Sequence, residues 1–219
     1  TSTTMTNFDV DGTDEMKKSS TGGKNGWDPT KYLNIWICDI VSTGGGQILG
    51  YSYLPGTVQW QPWKDGVVVD YRYFGTIGVS AAGNDGRTPT HEVGHYLGLY
   101  HTFEGGCFGS GDAVSDTPDQ DDDNNIYQCS TMDTCSSAGN DPIHNYMNYT
   151  DDACLTEFTT GQSDRIAYMV DTYKPNLGTQ VGCADGNVED CSGDGDCCQE
   201  SWIGDGYGDC EDQQWGCDL

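Results

Sequence analysis

The chain has 219 residues, with 35 acidic residues against 9 basic ones and a formal net charge of −26. This length suits one domain of ordinary size with a small appendage. The charge excludes nucleic acid and anionic membrane surfaces as partners, because both are polyanions that require a basic footprint. The most apolar stretch, residues 33–41, is far shorter than the roughly 20 residues of a spanning helix. We therefore expect no membrane segment.

Cysteine usage indicates the compartment and the domain organisation. Eleven cysteines are many for a reduced cytosolic protein and are typical of a secreted, extracellular one, where disulfides persist. Six of them lie in residues 183–219, which are crowded with Asp and Gly and contain little that could form a core. We predict a main domain over residues 1–177 and a small acidic, cysteine-rich module over residues 178–219.

The first half of the chain predicts mostly loops and strands. Residues 1–30 are polar and rich in turn signals, and they predict loop with at most a short helix near residues 14–18. Residues 32–41 (YLNIWICDIV) are rich in β-branched and aromatic residues and predict a strand buried on both faces. Residues 66–74 (GVVVDYRYF) predict a second strand, whose alternating second half is typical of a sheet edge.

From Thr88 onward the pattern is helical. Thr88 is the predicted N-cap, Pro89 occupies the first helical position, and Gly98 is placed to end the helix. A second amphipathic helix is predicted over residues 160–171. Between the two helices lies a long acidic stretch, residues 105–141, and a loop of this length requires something that ties it down.

The segment HEVGHYLGLYH, residues 91–101, contains three of the four histidines of the chain. On a helix, His91 and His95 project from one face because they are four residues apart. The glycine three residues later allows a sharp turn that returns His101 as a third ligand. Three neutral nitrogens with a fourth position left to water describe a catalytic zinc site. Glu92 is the predicted general base acting on the zinc-bound water.

Two other interpretations of this segment remain. One is a helix whose three histidines are merely buried or exposed, as we expect for the fourth histidine, His144. The other is a structural zinc site, which would require a fourth protein ligand, typically cysteine. No cysteine lies near this helix in sequence.

The extended motif resembles that of the metzincin metallopeptidases, and the flanking segments look like the pappalysin family. These segments follow one another in the family's order between about residues 14 and 172: LNIWI, GRT, HTF, GGC, DTP, NYMNY and FTTGQ. The resemblance implies an α+β, zincin-like fold with a twisted mixed sheet, an active-site helix and an irregular lower subdomain with a methionine turn. It also implies polypeptide substrates, a cleaved prosegment, and an edge strand that pairs with the bound substrate, matched by residues 70–74.

The resemblance further assigns roles to individual residues. Met147 matches the packing methionine of the tight turn beneath the zinc, and Tyr149 matches a tyrosine that hydrogen-bonds the oxyanion. A structural calcium is implied in the loop GDAVSDTPD, with Asp112, Asp116 and Thr117 as ligands, since calcium prefers oxygen ligands on a flexible loop. A solvated acidic loop without metal is the alternative.

The four cysteines of the catalytic part permit three connectivities. Resemblance to the family favours Cys107–Cys135 and Cys129–Cys154, which would fasten the acidic stretch. Each disulfide would contribute roughly 3–4 kcal/mol in the chain-entropy model. Cys38, alone on the first predicted strand, is expected to be a small buried thiol.

This sequence departs from the family pattern in two places. Catalytic domains of the family begin with a strand and a long backing helix before the segment that matches Thr1, and neither is found. We therefore expect the first strands of the sheet and that helix to belong to a separate fragment, or the chain boundary to be artificial. Near the other end, residues 201–210 loosely resemble the calcium-binding repeats of the Notch type, although the cysteine spacing differs.

Together, the residues and the resemblance predict a secreted zinc-dependent endopeptidase stabilised by calcium. The alternative is a catalytically inactive, calcium-dependent binding or adhesion protein on a protease fold. The presence of Glu92 with all three histidines favours the enzyme, because a binding protein has no need of a general base.

Overall fold

A computed structural model describes residues 7–9, 13–41, 46–178, 187–189 and 197–199. Its main sheet contains four strands in the order β1, β2, β4, β3. Their bounds are Asn7–Asp9 (β1), Ile35–Val41 (β2), Gly50–Ser52 (β3) and Val67–Asp70 (β4). Strands β1, β2 and β4 are parallel, and β3 pairs antiparallel with β4. This mixed sheet, with the two helices described below, confirms the predicted α+β class.

Strand β2 is buried on one face. Trp36, Cys38 and Ile40 pack into a core with residues of β1 and β4, whereas Ile35 and Ile37 on the other face are 42% and 50% exposed. The expectation of a strand buried on both faces is therefore wrong for the part of the chain that the structure describes, where nothing buries the second face. Cys38 is buried and free of a disulfide, as predicted.

Strand β4 is shorter than predicted and lies inside the sheet. Its three valines are fully buried, and the strand ends at Asp70. The Asp70 carboxylate accepts hydrogen bonds from the N–H groups of Ile40 and Arg72, and the chain turns into a 3-10 helix over Tyr71–Tyr73. The prediction of an edge strand reaching residue 74 is wrong, because β3 lies on the outer side of β4 and forms that edge.

Helix α1 spans Thr88–Tyr96 and contains the histidine motif. Thr88 is the first helical residue, so the predicted N-cap is displaced by one position, and the actual N-cap, Arg87, makes no side-chain capping bond. The helix ends before Gly98, whose φ of 103° lies in the left-handed region. A Cβ at this position would lie 2.6 Å from Cγ of Met169, so both conformation and packing require glycine.

Helix α2 spans Thr160–Tyr173 and begins with a capping box. The Thr159 hydroxyl accepts the N–H of Gln162, and the Gln162 side chain accepts the N–H of Thr159. This reciprocal cap satisfies two N–H groups that would otherwise lack partners, so the start of the helix is well defined. Neither helix, nor any other in the described ranges, is long and apolar enough to cross a membrane.

The part of the chain between the helices has short 3-10 turns and two disulfides. Cys107 is bonded to Cys135 and Cys129 to Cys154, at sequence separations of 28 and 25 residues. These are the two pairings that resemblance to the family implies. The first closes a loop within the acidic stretch, and the second ties that stretch to the turn that precedes α2. Together they explain how a segment with so little regular structure holds a defined position.

The C-terminal region is described only in part. Strands β5 (Asn187–Glu189) and β6 (Cys197–Gln199) form a two-stranded antiparallel sheet. Strand β6 contains two of the six cysteines of the predicted module, Cys197 and Cys198. The other four cysteines lie outside the described residues, as does the segment that resembles Notch-type repeats. The domain boundary at residue 177 and the expected absence of the family's first strands stay predictions.

Candidate active site

Three histidine side chains converge at the end of helix α1. His91 and His95 lie one turn apart on the helix, and the turn at Gly98 returns His101 to them. The Nε2 atoms are separated by 3.1 Å (His91 to His95), 3.0 Å (His95 to His101) and 3.2 Å (His101 to His91). Within the described ranges, this is the one group of three or more His, Cys, Asp or Glu side chains close enough to share a metal ion.

Backbone carbonyl groups orient two of the three rings. Nδ1 of His91 lies 2.7 Å from the carbonyl oxygen of Tyr146, and Nδ1 of His95 lies 2.8 Å from that of Leu99. A carbonyl oxygen only accepts, so each Nδ1 carries the proton and donates it. The Nε2 atoms of these two rings are therefore unprotonated, and their lone pairs are free to bind a metal, as in the histidine ligands of metal sites.

The arrangement fits a zinc ion. Burial, together with the nearby imidazoles, lowers the pKa of His91 to about 3 and that of His101 to about 2, so neither ring becomes cationic near neutral pH. The lone pairs on Nε2 of His91 and His95, which lie close to Nε2 of His101, then lack any positive charge to stabilise them. Nitrogens bound tetrahedrally at about 2.0–2.1 Å lie roughly 3.3 Å apart, close to the observed separations. With three protein ligands, such a site keeps one position open for water or substrate.

Glu92 lies beside the histidines, and strand β3 positions it. Its side chain is buried, and burial raises its pKa to about 8 in the protein without metal. Gly50 on β3 makes room for it, because a Cβ there would lie 2.9 Å from Cγ of Glu92. The Ser52 hydroxyl donates to the main-chain carbonyl of Glu92 at 2.8 Å and joins the same strand to the helix.

Met147 packs beneath helix α1 and is fully buried. Its N–H donates to the side-chain oxygen of Asn145, and Asn145 exchanges two amide hydrogen bonds with Gln162 at the start of α2. The sulfur lies against Gly94, where a Cβ would be only 2.3 Å away. Met147 therefore supports the helix from below and contributes no atom to the histidine cluster.

Replacing Gly94 by alanine is expected to reduce stability, because the added methyl group would overlap Met147. Overpacking of this kind costs about 1–3 kcal/mol. In a domain of this size it lowers the melting temperature by roughly 2–4 °C per kcal/mol. Gly109→Ala is the matched control, since a Cβ there would meet its nearest atom at an ordinary 3.4 Å. Equal melting temperatures for the two variants would show that the contact between Gly94 and Met147 is not tight.

Tyr149 belongs to an aromatic wall beside the histidines. Its ring centroid lies 4.7 Å from that of His101, 4.9 Å from that of Phe103 and 6.0 Å from that of Tyr127. Burial, with the charge of Glu92 as a second cause, raises the pKa of Tyr149 to about 12, so its hydroxyl stays protonated at neutral pH. Tyr127 was not expected from the sequence. It lies in the acidic stretch, two residues before the disulfide at Cys129, and nothing in the local pattern marks it.

Asp152 joins the segment after the methionine turn to the start of helix α1. Its Oδ2 accepts the main-chain N–H groups of Asp85, at 2.9 Å, and Arg87, at 3.0 Å. Because α1 lacks a side-chain cap of its own, this carboxylate serves as a remote cap at the positive end of the helix dipole. Asp152 also lines the cleft beside the histidines, which has a volume of about 400 Å³.

Asp152→Ala is therefore expected to destabilise the protein by about 1–2 kcal/mol, the usual cost of losing an N-terminal cap. Asp152→Asn retains an acceptor oxygen and should lose less. Asp151→Ala, which removes an exposed neighbouring carboxylate, is the control. Thermal melts of the three variants test this, and a similar effect of Asp151→Ala and Asp152→Ala would contradict the capping role.

The residues predicted to bind calcium are only partly brought together. Asp112 is buried, which raises its pKa, and the Thr117 hydroxyl lies 2.8 Å from both of its carboxylate oxygens. The Asp116 carboxylate instead accepts hydrogen bonds from the Thr159 hydroxyl and the Gly161 N–H, at the start of α2. Asp112 and Thr117 thus form a buried oxygen pair, while Asp116 also caps a helix.

Solved structures share this fold. Mature mirolysin of Tannerella forsythia, in complex with a cleaved peptide, superposes with a TM-score of 0.66 at 40% identity, over 78% of this chain and 64% of that one. A variant of promirolysin of the same organism superposes with a TM-score of 0.66 at 38% identity, over 80% of this chain and 57% of that one. The mixed sheet, the helix with its histidines and the underlying methionine define a metzincin-type metallopeptidase fold.

Family comparison identifies the chain more closely. It belongs to the peptidase family described as pregnancy-associated plasma protein-A (Peptidase_M43), whose model matches residues 17–171. It is 41% identical over 182 residues to an extracellular metalloprotease of Sordaria macrospora and 49% identical over 134 residues to one of Verticillium alfalfae. The aligned regions cover 80% and 58% of this chain, and 59% and 45% of those relatives. The chain thus spans about half the length of the curated relatives it matches.

Proposed function

We propose that this protein is a secreted zinc-dependent endopeptidase that hydrolyses peptide bonds of polypeptides. The observation that carries the proposal is the convergence of the Nε2 atoms of three histidines next to the buried side chain of Glu92, which lines one cleft with His91. The extracellular metalloproteases among its relatives support both the activity and the secretion, as does the high cysteine content.

His91, His95 and His101 would hold the zinc. When bound, zinc lowers the pKa of a water ligand towards about 7 and polarises the substrate carbonyl. Glu92 accepts a proton from the attacking water on its carboxylate and returns it to the leaving amine. The neutral hydroxyl of Tyr149 donates a hydrogen bond to the oxygen on which negative charge develops.

Strand β3 is the proposed binding edge for an extended substrate. Within the described residues, its only sheet neighbour is β4, so its outer edge is open to β-strand addition. Leu49 and Gly50 line the same cleft as His91 and Glu92, which places this edge beside the reacting groups. Mirolysin has been solved with a cleaved peptide, and the name promirolysin denotes a precursor. By analogy, we propose polypeptide substrates and a cleaved prosegment for this chain.

The direct test is hydrolysis of casein by the native protein, with and without 1,10-phenanthroline. We expect the chelator to abolish hydrolysis and added zinc to restore it. An inactive binding protein on the same fold would hydrolyse nothing under either condition. Hydrolysis that persists after the zinc has been removed, verified by elemental analysis, would contradict the proposed mechanism.

Calcium stabilisation is a separate proposal that rests on the Asp112 and Thr117 pair. Burying a carboxylate without a compensating charge lowers the stability of the folded protein. A calcium ion would supply that charge, with Asp116 and main-chain carbonyls as further ligands. EGTA, at a concentration that leaves the zinc content unchanged, is expected to lower the melting temperature, and added calcium to restore it. A melting temperature that does not respond to calcium would show that no stabilising calcium ion binds at this pair.

A further inference from the structure

A second cleft, of about 470 Å³, lies apart from the histidines. Its walls come from the N-terminal turns, the start of β2 and the 3-10 turn Pro62–Lys64. It shares no lining residue with the cleft at Glu92. Three of the six tryptophans of the chain, Trp27, Trp36 and Trp63, line it. This concentration of indole rings outside the active site is not explained by the proposed peptidase function.

The structure holds these tryptophans in place. Nε1 of Trp36 donates to the carbonyl of Lys24 at 2.8 Å. The Asn34 side chain exchanges two hydrogen bonds with the main chain of Trp27, a residue that nevertheless remains 49% exposed. The ammonium of Lys18 lies 3.7 Å from the ring centroid of Trp63. The cleft thus presents preformed aromatic surfaces, and little conformational entropy would be lost on binding.

The polar groups of the cleft include both acceptors and donors. The exposed carboxylate of Asp28 is an acceptor at the cleft, whereas Asp65 is paired with the ammonium of Lys174. The Asn25 side chain accepts from Ser19 N–H through its oxygen, so its amide group remains a donor. The Lys18 ammonium is a further donor. A ligand in this cleft must therefore both donate and accept hydrogen bonds.

The charges of the lining balance. Among the charged lining residues, Lys17 is paired with Asp14 and Asp65 with Lys174. Lys18 and Asp28 remain, one charge of each sign, in a chain whose net charge is −26. Because the lining has no excess of either charge, it would not attract a polyanion or a polycation, and its electrostatics favour a neutral ligand.

We propose that this cleft binds a neutral oligosaccharide. The C–H faces of a pyranose ring stack on indole rings, which supply large apolar contact areas. Its hydroxyl groups both donate and accept, and so can pair with Asp28, Lys18 and Asn25 together. Such a site would concentrate the protein on a polysaccharide or a glycosylated substrate without contributing to peptide cleavage.

Isothermal titration calorimetry of the full chain with cellohexaose and with chitohexaose tests the proposal. We expect saturable binding of at least one of them, weakened at least tenfold by Trp63→Ala and by Trp27→Ala. Trp60→Ala is the matched control, since Trp60 is 94% exposed and does not line the cleft. It should bind like the native chain. Lys18→Met, which keeps an aliphatic side chain next to Trp63, should also weaken binding.

Hydrolysis of a soluble peptide, compared between the variants and the native chain, verifies that each variant is folded, because none of these residues lies at the histidine cleft. The proposal is overturned if neither oligosaccharide binds at millimolar concentration. It is also overturned if Trp27→Ala and Trp63→Ala bind as tightly as the native chain and Trp60→Ala. A chain that binds saccharide but cleaves no peptide would contradict the proposed function and leave this site intact.

Discussion

Glu92→Gln is expected to lower kcat/KM for peptide hydrolysis by about 10²–10⁴-fold, the usual contribution of a positioned general base. Glutamine keeps the shape of the side chain, so the packing against Gly50 and the zinc content should not change. Its amide cannot accept the proton of the attacking water. The measurement is the rate of cleavage of a quenched fluorescent peptide, with zinc quantified by elemental analysis in both proteins.

Glu104→Gln is the control for this experiment. It removes one carboxylate from an exposed position three residues after His101 and changes the net charge by the same amount. Full activity in this variant, together with a large loss in Glu92→Gln, would separate the role of a base from a general effect of charge. Equal activity in the Glu92→Gln and native proteins would exclude Glu92 as the base.

His101→Ala is expected to reduce bound zinc from one ion per chain to a small fraction and to abolish hydrolysis. Two nitrogens on one helix would remain, one protein ligand fewer than the three of catalytic zinc sites. Because a ligand stabilises only the state that binds it, added zinc should raise the melting temperature of the metal-free native chain and have little effect on the variant. Elemental analysis and thermal melts with and without zinc measure the two effects.

His144→Ala is the matched control among the histidines. Its Nδ1 interacts with the carbonyl of Cys154 at 2.8 Å, and it does not belong to the group of converging rings. It should retain one zinc per chain, even if the loss of that hydrogen bond lowers its stability. If His101→Ala retained zinc as well as His144→Ala does, the assignment of the third ligand would be wrong.

The convergence of the three histidines could be predicted from the sequence because its geometry is local. His91 and His95 are one helical turn apart, and a single turn at Gly98 suffices to bring His101 to them. The burial of Cys38 likewise could be predicted, because it depends on residue type. The two disulfides were implied by resemblance to the family, since four cysteines alone leave three pairings open.

Features that depend on distant partners were missed. The end of β4 at Asp70 is determined by the Ile40 and Arg72 N–H groups that its carboxylate accepts, which no alternation pattern reveals. Strands β1 and β3 have three residues each, too few to show a period. Tyr127 and Asp152 reach the cleft through a disulfide-linked loop and through hydrogen bonds to a segment more than sixty residues away. Such contacts are products of the tertiary structure.

Anomalous X-ray diffraction at the zinc absorption edge, from crystals of the protein, tests the central claim most directly. We expect one peak, at about 2.0–2.1 Å from Nε2 of each of His91, His95 and His101, with the Glu92 carboxylate beside it. A zinc peak at another place, or zinc-replete crystals with no peak between these three rings, would contradict it.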